Sequence, residues 1–409
     1  MFDISNFANL QAGKQLEAKK ASGGLPGSIW QTYSAFANTS GGVILLGVEE
    51  KKDKSLHIVG LQNPEKMLEE FWGIINNKQK VSSNILFDKH VQITEVEGKR
   101  IIMIEVPRAE LSVKPVYLNE KPFAETYRRN GQGDYHCSEP MIKSMFRENG
   151  LQTPDMKVLT DMTIDVFDYE SVKKYRKIFI TSRPVHIWNL LDDLDFLQKI
   201  GAIKSNGDGK QHPTAAGLLM FGSDHEILHE YSNYFLDYSE NFDPNNRYTD
   251  RFVSCSGDWS GNLFDFYFRV INKLFQNIKT SFHISGEQYR VEDTPIRVAI
   301  REALLNCLLN ADYHGERGIL VRNYPDKFIF ENPGGFRISL PDALSGGISS
   351  PRNSVLMKMF YLIGLVERYG SGIPIILSAW AEQGWETPTY KELFDPDRTI
   401  LTLSFDKRG

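Results

Sequence analysis

Residues 299–314 constrain this chain more than any other stretch. Ala299, Ile300, Ala303, Leu304, Cys307 and Leu308 recur at three- and four-residue spacing, which predicts a packed helix. Glu302, Asn306 and Asn310 fall at successive i+4 steps, on one stripe of that helix. A carboxylate and two amides on so apolar a helix need partners. A polyphosphate with its Mg²⁺ supplies them, because Mg²⁺ takes few protein oxygens and keeps waters and phosphates. Glu302 then orients or deprotonates a water, and Asn306 holds the metal through its side-chain oxygen. The competing reading is an ordinary helix whose polar residues are solvated or hydrogen-bonded in place.

The rest of the chain sets the frame. Its 409 residues divide into two or three domains, each large enough to bury a core. With 41% hydrophobic and 24% charged residues, the composition is that of a soluble globular protein. No apolar run approaches the roughly 18 residues that span a bilayer. The N-terminal Met1-Phe2-Asp3-Ile4-Ser5 lacks the basic region and apolar core of a signal peptide. Cys137, Cys255 and Cys307 are too scattered for a metal-ligand or disulfide pattern. A cytoplasmic location without membrane attachment is the expectation. The net charge of −5 provides no global basic field, so a nucleic-acid partner has to meet a local patch.

Along the chain, Ser28 caps a predicted helix through Ile29, Tyr33, Phe36 and Ala37, which stops near Asn38-Thr39-Ser40-Gly41-Gly42. A buried strand, Val43 to Val48, follows. Residues 91–96 and 101–106 read as a hairpin, and Tyr127-Arg128-Arg129 leads into a glycine turn. Residues 149–154 form a linker. Beyond it, Trp188 to Ile200 suggests a short helical module that ends at a wing-like turn, residues 204–210. That segment is either a winged-helix-like connector or a packing module; Asp192, Asp193 and Asp195 on it would repel a phosphate backbone. Leu263 to Phe275 reads as a core helix.

Three N-terminal elements, Leu16-Glu17-Ala18-Lys19, Ala35-Phe36-Ala37-Asn38-Thr39-Ser40-Gly41-Gly42 and Leu46-Gly47-Val48-Glu49-Glu50, together with Tyr127-Arg128-Arg129-Asn130-Gly131, resemble the Schlafen/AlbA-like domain over roughly residues 8–148. Some members of that family are metal-dependent ribonucleases, and others are bacterial regulators or defence components. The nucleases use three carboxylates. Two of those positions fall on Glu17 and Glu50, and the third is Ala12. The resemblance thus implies Glu17 and Glu50 as catalytic and metal-holding residues, with Mg²⁺ or Mn²⁺, and their competing role is surface charge or a weak ion pair. Lys19, Lys20, Arg128 and Arg129 are the candidate nucleic-acid contacts.

At the other end, Arg301–Tyr313, Asn332-Pro333-Gly334-Gly335 and Arg352–Ile373 occur in an order similar to the GHKL ATPase superfamily. More closely, they resemble its divergent branch fused to Schlafen/AlbA-like domains. The resemblance implies Glu302 as general base, Asn306 as Mg²⁺ ligand, and Asn310 beside it. It also implies Asn332 at the adenine edge, Gly334 and Gly335 at the nucleotide, and Gly370, Ser371 and Gly372 along the phosphates. Arg352 would contact a phosphate or hold a surface role. Asn332 stands where most GHKL enzymes place a carboxylate, and an amide oxygen accepts the same hydrogen bond without charge assistance. Asn310-Ala311 replaces the branch's usual His-Arg, which removes a cation near the phosphates.

The expected fold class is α+β and multidomain. A Schlafen/AlbA-like α/β domain spans 1–150, a small helical, winged-helix-like connector 151–215, and a GHKL-type α/β sandwich 216–409. The expected function is an ATP-binding, nucleotide-gated nucleic-acid-binding protein, a regulator or phage-defence component that works as a homo-oligomer. The alternatives are a metal-dependent nuclease acting on tRNA, other RNA or single-stranded DNA, and a non-catalytic assembly held together by nucleotide. Because residues 401–405 lie close to the C-terminus, nucleic-acid contact is assigned to residues 1–150 or the connector.

Overall fold

The computed structural model describes residues 15–150, 152–242, 247–278, 294–366, 370–393 and 396–406. It is a mixed α+β, multidomain chain that separates into two compact units, Met1–Leu151 and Gln152–Gly409.

In the first unit a four-stranded sheet runs in the order Leu16–Lys19, Gly42–Leu46, Lys99–Val106, Val91–Val96. Only the first pair is parallel. The central strand explains its own position. Side chains alternate between faces, and in Gly42–Leu46 both faces are apolar. Ile44 and Leu46 join Tyr33, Phe36 and Phe71 in one core, while Val43 and Leu45 join Leu16 and Ile101 in another. The helix Ile29–Asn38 supplies the first of these cores.

The run Asn38-Thr39-Ser40-Gly41-Gly42 stitches this helix to the sheet. The Asn38 side chain is buried, donates to Val116 O (2.8 Å) and Tyr127 O (3.0 Å), and accepts from Val116 N (2.9 Å). Gly41 has φ +75°, and a Cβ there would lie 2.8 Å from Val106 O; one on Gly42 would strike the Phe36 ring. No other residue fits either place.

The second unit is built on a six-stranded sheet. Its order is Asp250–Val253, Leu236–Glu240, Ile319–Asn323, Lys327–Pro333, Arg398–Ser404, Thr389–Leu393. The pairing of Leu236–Glu240 with Ile319–Asn323 is parallel and the rest is antiparallel. The helices Leu263–Asn277, Pro295–Leu309, Ser354–Leu362 and Gly372–Glu382 contribute Tyr267, Leu304, Phe360 and Trp380 to one continuous core with Val321, Phe330 and Leu403 of the sheet.

Residues 152–215 share that core, through Tyr175, Phe179, Phe196 and Ile200. Within this segment Ile203–Ser205 and Gln211–Pro213 pair as a small antiparallel wing after the helix Asp193–Ile200. Hydrogen bonds from two side chains help fasten the segment to the helix Ser354–Leu362. Tyr175 donates its hydroxyl to Met359 O (2.8 Å). The fully buried Asp155 accepts from Val355 N (2.8 Å) and Leu356 N (2.9 Å), capping the helix from 200 residues away in sequence.

Candidate functional site

The polar stripe of the Pro295–Leu309 helix opens onto a cavity of about 150 Å³. The helix forms because Pro295 sits in its first turn and Ala299, Ile300, Ala303, Leu304, Cys307 and Leu308 bury one side. That burial turns Glu302 and Asn306 toward the first turn of the Gly372–Glu382 helix. The approach is close. A Cβ on Gly372 would lie 2.6 Å from Glu302 Oε2 and 2.9 Å from Asn306 Nδ2. Asn306 Nδ2 is buried and has no hydrogen-bond partner, an uncommon state for an amide nitrogen.

The sheet forms the opposite wall. Phe330 and Asn332 come from one strand, and Leu401 and Thr399 lie directly opposite them on the next. Asn332 is buried, and its amide nitrogen donates to Pro333 O (3.1 Å). Gly335, Gly370 and Gly372 complete the lining. Glu302, Asn306, Asn310, Asn332, Gly335, Gly370 and Gly372, nominated from sequence, therefore converge on one cavity.

Asn310, within that lining, ends its helix, with its side-chain amide donating to Asn306 O (3.1 Å). Other nominated residues are placed differently. Gly334 stands behind the lining, donating its N–H to Asp397 O and accepting from Thr399 Oγ1. Arg352 is buried, and its guanidinium donates to Asn310 O and Gly335 O, bracing two cavity walls. Ser371 precedes the Gly372–Glu382 helix without a side-chain cap. Residues 367–369 of the motif lie outside the described residues. Thr399 and Tyr390 also line the cavity and were not legible in advance. Each sits on a short strand whose alternation marks a face without saying what the face meets.

The N-terminal candidates have a different arrangement. Glu17 Oε1 pairs with Lys19 Nζ (3.2 Å) and Glu17 Oε2 with Arg129 (3.0 Å). Arg129 is buried over the Phe36 ring and also pairs with Asp134 (2.9 Å), whose other oxygen accepts from Thr32. Arg128 is buried too, with Nη1 on the Met141 sulfur (2.9 Å). Both arginines are largely buried and engaged by partners within the fold. Lys20 is exposed and pairs with Glu49 (3.0 Å). Glu50 is exposed at the end of its strand.

Ala12 lies outside the described residues, and among those described no three His, Cys, Asp or Glu side chains gather as a metal site. Both Glu17 oxygens are paired with cations in this structure. Among the described residues no helix is long and apolar enough to cross a membrane.

Three family models match parts of the chain. Residues 12–138 match the family described as Schlafen, AlbA_2. Residues 143–237 match a domain of unknown function, DUF8451. Residues 316–402 match the family described as "Putative ATP-dependent DNA helicase recG C-terminal". The chain thus carries a Schlafen AlbA_2 domain at its N-terminus and a RecG-C-terminal-like, ATPase-type domain at its C-terminus. The latter match begins after the Pro295–Leu309 helix, so the structure alone brings Glu302 and Asn306 to the matched glycine loops.

Among solved structures, the DIP2311 protein from Corynebacterium diphtheriae is 20% identical over 96% of this chain, with a TM-score of 0.47. The present chain covers 65% of that protein's chain. The N-terminal domain of a "Putative ATP-dependent DNA Helicase RecG-related Protein" from Nitrosomonas europaea is 26% identical over 34% of this chain and 94% of its own, with a TM-score of 0.26. No curated protein matches the chain.

Proposed function

We propose that the C-terminal unit binds a magnesium nucleoside triphosphate, ATP by preference, in the manner of the GHKL ATPases, and that this binding controls a nucleic-acid-binding N-terminal domain. The observation that carries the reading is the orphaned Asn306 amide. It lies beside Glu302, in a cavity where Gly372 leaves room for backbone alone. A phosphate oxygen satisfies the buried N–H, and the amide oxygen is left for Mg²⁺. The donor set therefore suits a metal–polyphosphate group. When bound, Mg²⁺ would neutralise phosphate charge.

This chain's residues do the rest. At the start of Gly372–Glu382, Gly372 and Ile373 present backbone N–H groups, which favour anions, while Pro374 has none to give. Glu302 accepts a proton from a water near it. Asn332, its nitrogen held by Pro333 O, offers its oxygen to an exocyclic amine. Arg352 keeps the glycine loop and helix end in register.

The nuclease alternative loses support, because Glu17 is fully paired and no metal cluster forms among the described residues. Nucleic-acid contact by the N-terminal domain falls to exposed lysines such as Lys51, Lys52 and Lys54, since Arg128 and Arg129 are buried.

One titration series tests the proposal. Wild-type protein binds Mg-ATP, and Glu302→Gln binds it about as tightly but hydrolyses it at least ~10²-fold more slowly. Affinity for single-stranded DNA or tRNA differs between the ATP-bound and ATP-free protein, as a gate requires differential affinity. Absence of ATP binding removes the whole reading, and ATP binding with unchanged nucleic-acid affinity removes the gate.

A further inference from the structure

The cavity has two chemically different ends. One is polar, with Glu302, Asn306 and Gly372. At the other, cross-strand register sets Phe330, Leu401 and Tyr390 in one row of the sheet and Asn332 and Thr399 in the next. Tyr390 stands out there. Its ring meets Phe336 edge-on (5.9 Å between centroids, 65° between planes). Its hydroxyl oxygen is buried and has no hydrogen-bond partner. Phenylalanine would fill the same space without leaving a polar atom stranded, so the fold itself has no use for the hydroxyl. Burial pushes the phenol's proton affinity up, which keeps the group a donor at neutral pH.

We infer that Tyr390 reads the nucleobase, its hydroxyl donating a hydrogen bond to the purine of the nucleotide whose binding is proposed above. Asn332 and Tyr390 stand two residues apart along the strands and two strands apart across the sheet, roughly 12 Å between backbones. A purine on Phe330 and Leu401, with a hydrogen bond at each end, bridges Asn332 to the Tyr390 hydroxyl. Asn332 offers an acceptor, because its nitrogen is engaged by Pro333 O (3.1 Å). Tyr390 adds the donor. An acceptor with a donor complements adenine, whose amino group donates and whose ring nitrogens accept. On guanine the carbonyl takes the place of the amino group, so the acceptor of Asn332 meets another acceptor. The pair supplies the base selectivity that Asn332, lacking a carboxylate's charge, provides only weakly.

The test is Tyr390→Phe, with Mg-ATP, Mg-GTP and magnesium tripolyphosphate as ligands in calorimetric titrations. The expected result is roughly tenfold weaker ATP binding, a reduced preference for ATP over GTP, and unchanged tripolyphosphate binding. Without nucleotide, the variant melts no lower than wild type, since it loses an orphaned group. Unchanged ATP affinity, an equal loss for ATP and GTP, or a lower melting temperature without ligand overturns the assignment. If wild type binds ATP and Tyr390→Phe binds it equally well, only this inference falls. If wild type binds no ATP, the nucleotide reading falls and takes this one with it.

Discussion

Gly372→Ala is expected to weaken Mg-ATP binding by at least ~100-fold, about 3 kcal/mol, while leaving the melting temperature of the ligand-free protein unchanged or slightly raised. The added methyl would stand 2.6 Å from Glu302 Oε2 and 2.9 Å from Asn306 Nδ2. Both are ends of flexible side chains, so the fold accommodates the methyl by moving them. The place they move into is the cavity. An alanine in a helix is also favoured over glycine by up to about 1 kcal/mol, which offsets the rearrangement. Stability and affinity should therefore change in different directions, or stability not at all. Calorimetric titration and thermal melting on one sample check both. A variant that binds ATP like wild type would mean that phosphates do not approach this turn.

The second large effect concerns stability. Asp155→Ala is expected to destabilise the C-terminal unit by about 3 kcal/mol, lowering its melting temperature by roughly 6–12 °C. Asp155 is fully buried and takes the N–H groups of Val355 and Leu356. Alanine strands both donors, at the start of the helix that follows Arg352 and Asn353. Asparagine keeps one acceptor and should fall between the two.

The pH dependence has a definite sign. Burial holds the Asp155 carboxyl above the ordinary aspartate value near 3.8. The folded chain therefore binds this proton more tightly than the unfolded chain does. The resulting stability is complete below about 3.8 and is lost as pH rises through the raised folded value. Asp155→Asn removes that slope, so the stability difference between wild type and Asp155→Asn should vary with pH across that window. A constant difference contradicts the assignment.

How far these sites were legible depends on what each residue type reveals. Helical periodicity found the Glu302–Asn306 stripe, because apolar spacing fixes which side of a helix is buried and hence which side is left over. The run from Asn38 to Gly42 was legible as a family mark. Its cause, an asparagine bonded to two remote backbones and two glycines under Val106 and Phe36, needs coordinates.

Basic residues misdirect for a physical reason. Arg128 and Arg129 read as a phosphate-binding pair because sequence shows charge and hides burial; a neighbouring Glu17, Asp134 and Phe36 ring absorb Arg129 inside the fold. Arg352 follows the same rule, its guanidinium closed over two carbonyls. Tyr390 and Thr399 were invisible because strand register, which no local pattern records across some 60 residues, decides that they stand near Phe330 and Asn332.

The most direct measurement is a crystal structure grown with Mg²⁺ and a non-hydrolysable ATP analogue. The expected density has the metal about 2.1 Å from Asn306 Oδ1, the terminal phosphate at the first turn of Gly372–Glu382, and the base on Phe330 and Leu401. An analogue bound elsewhere, or a saturated crystal in which Glu302 and Asn306 meet no ligand, contradicts the account.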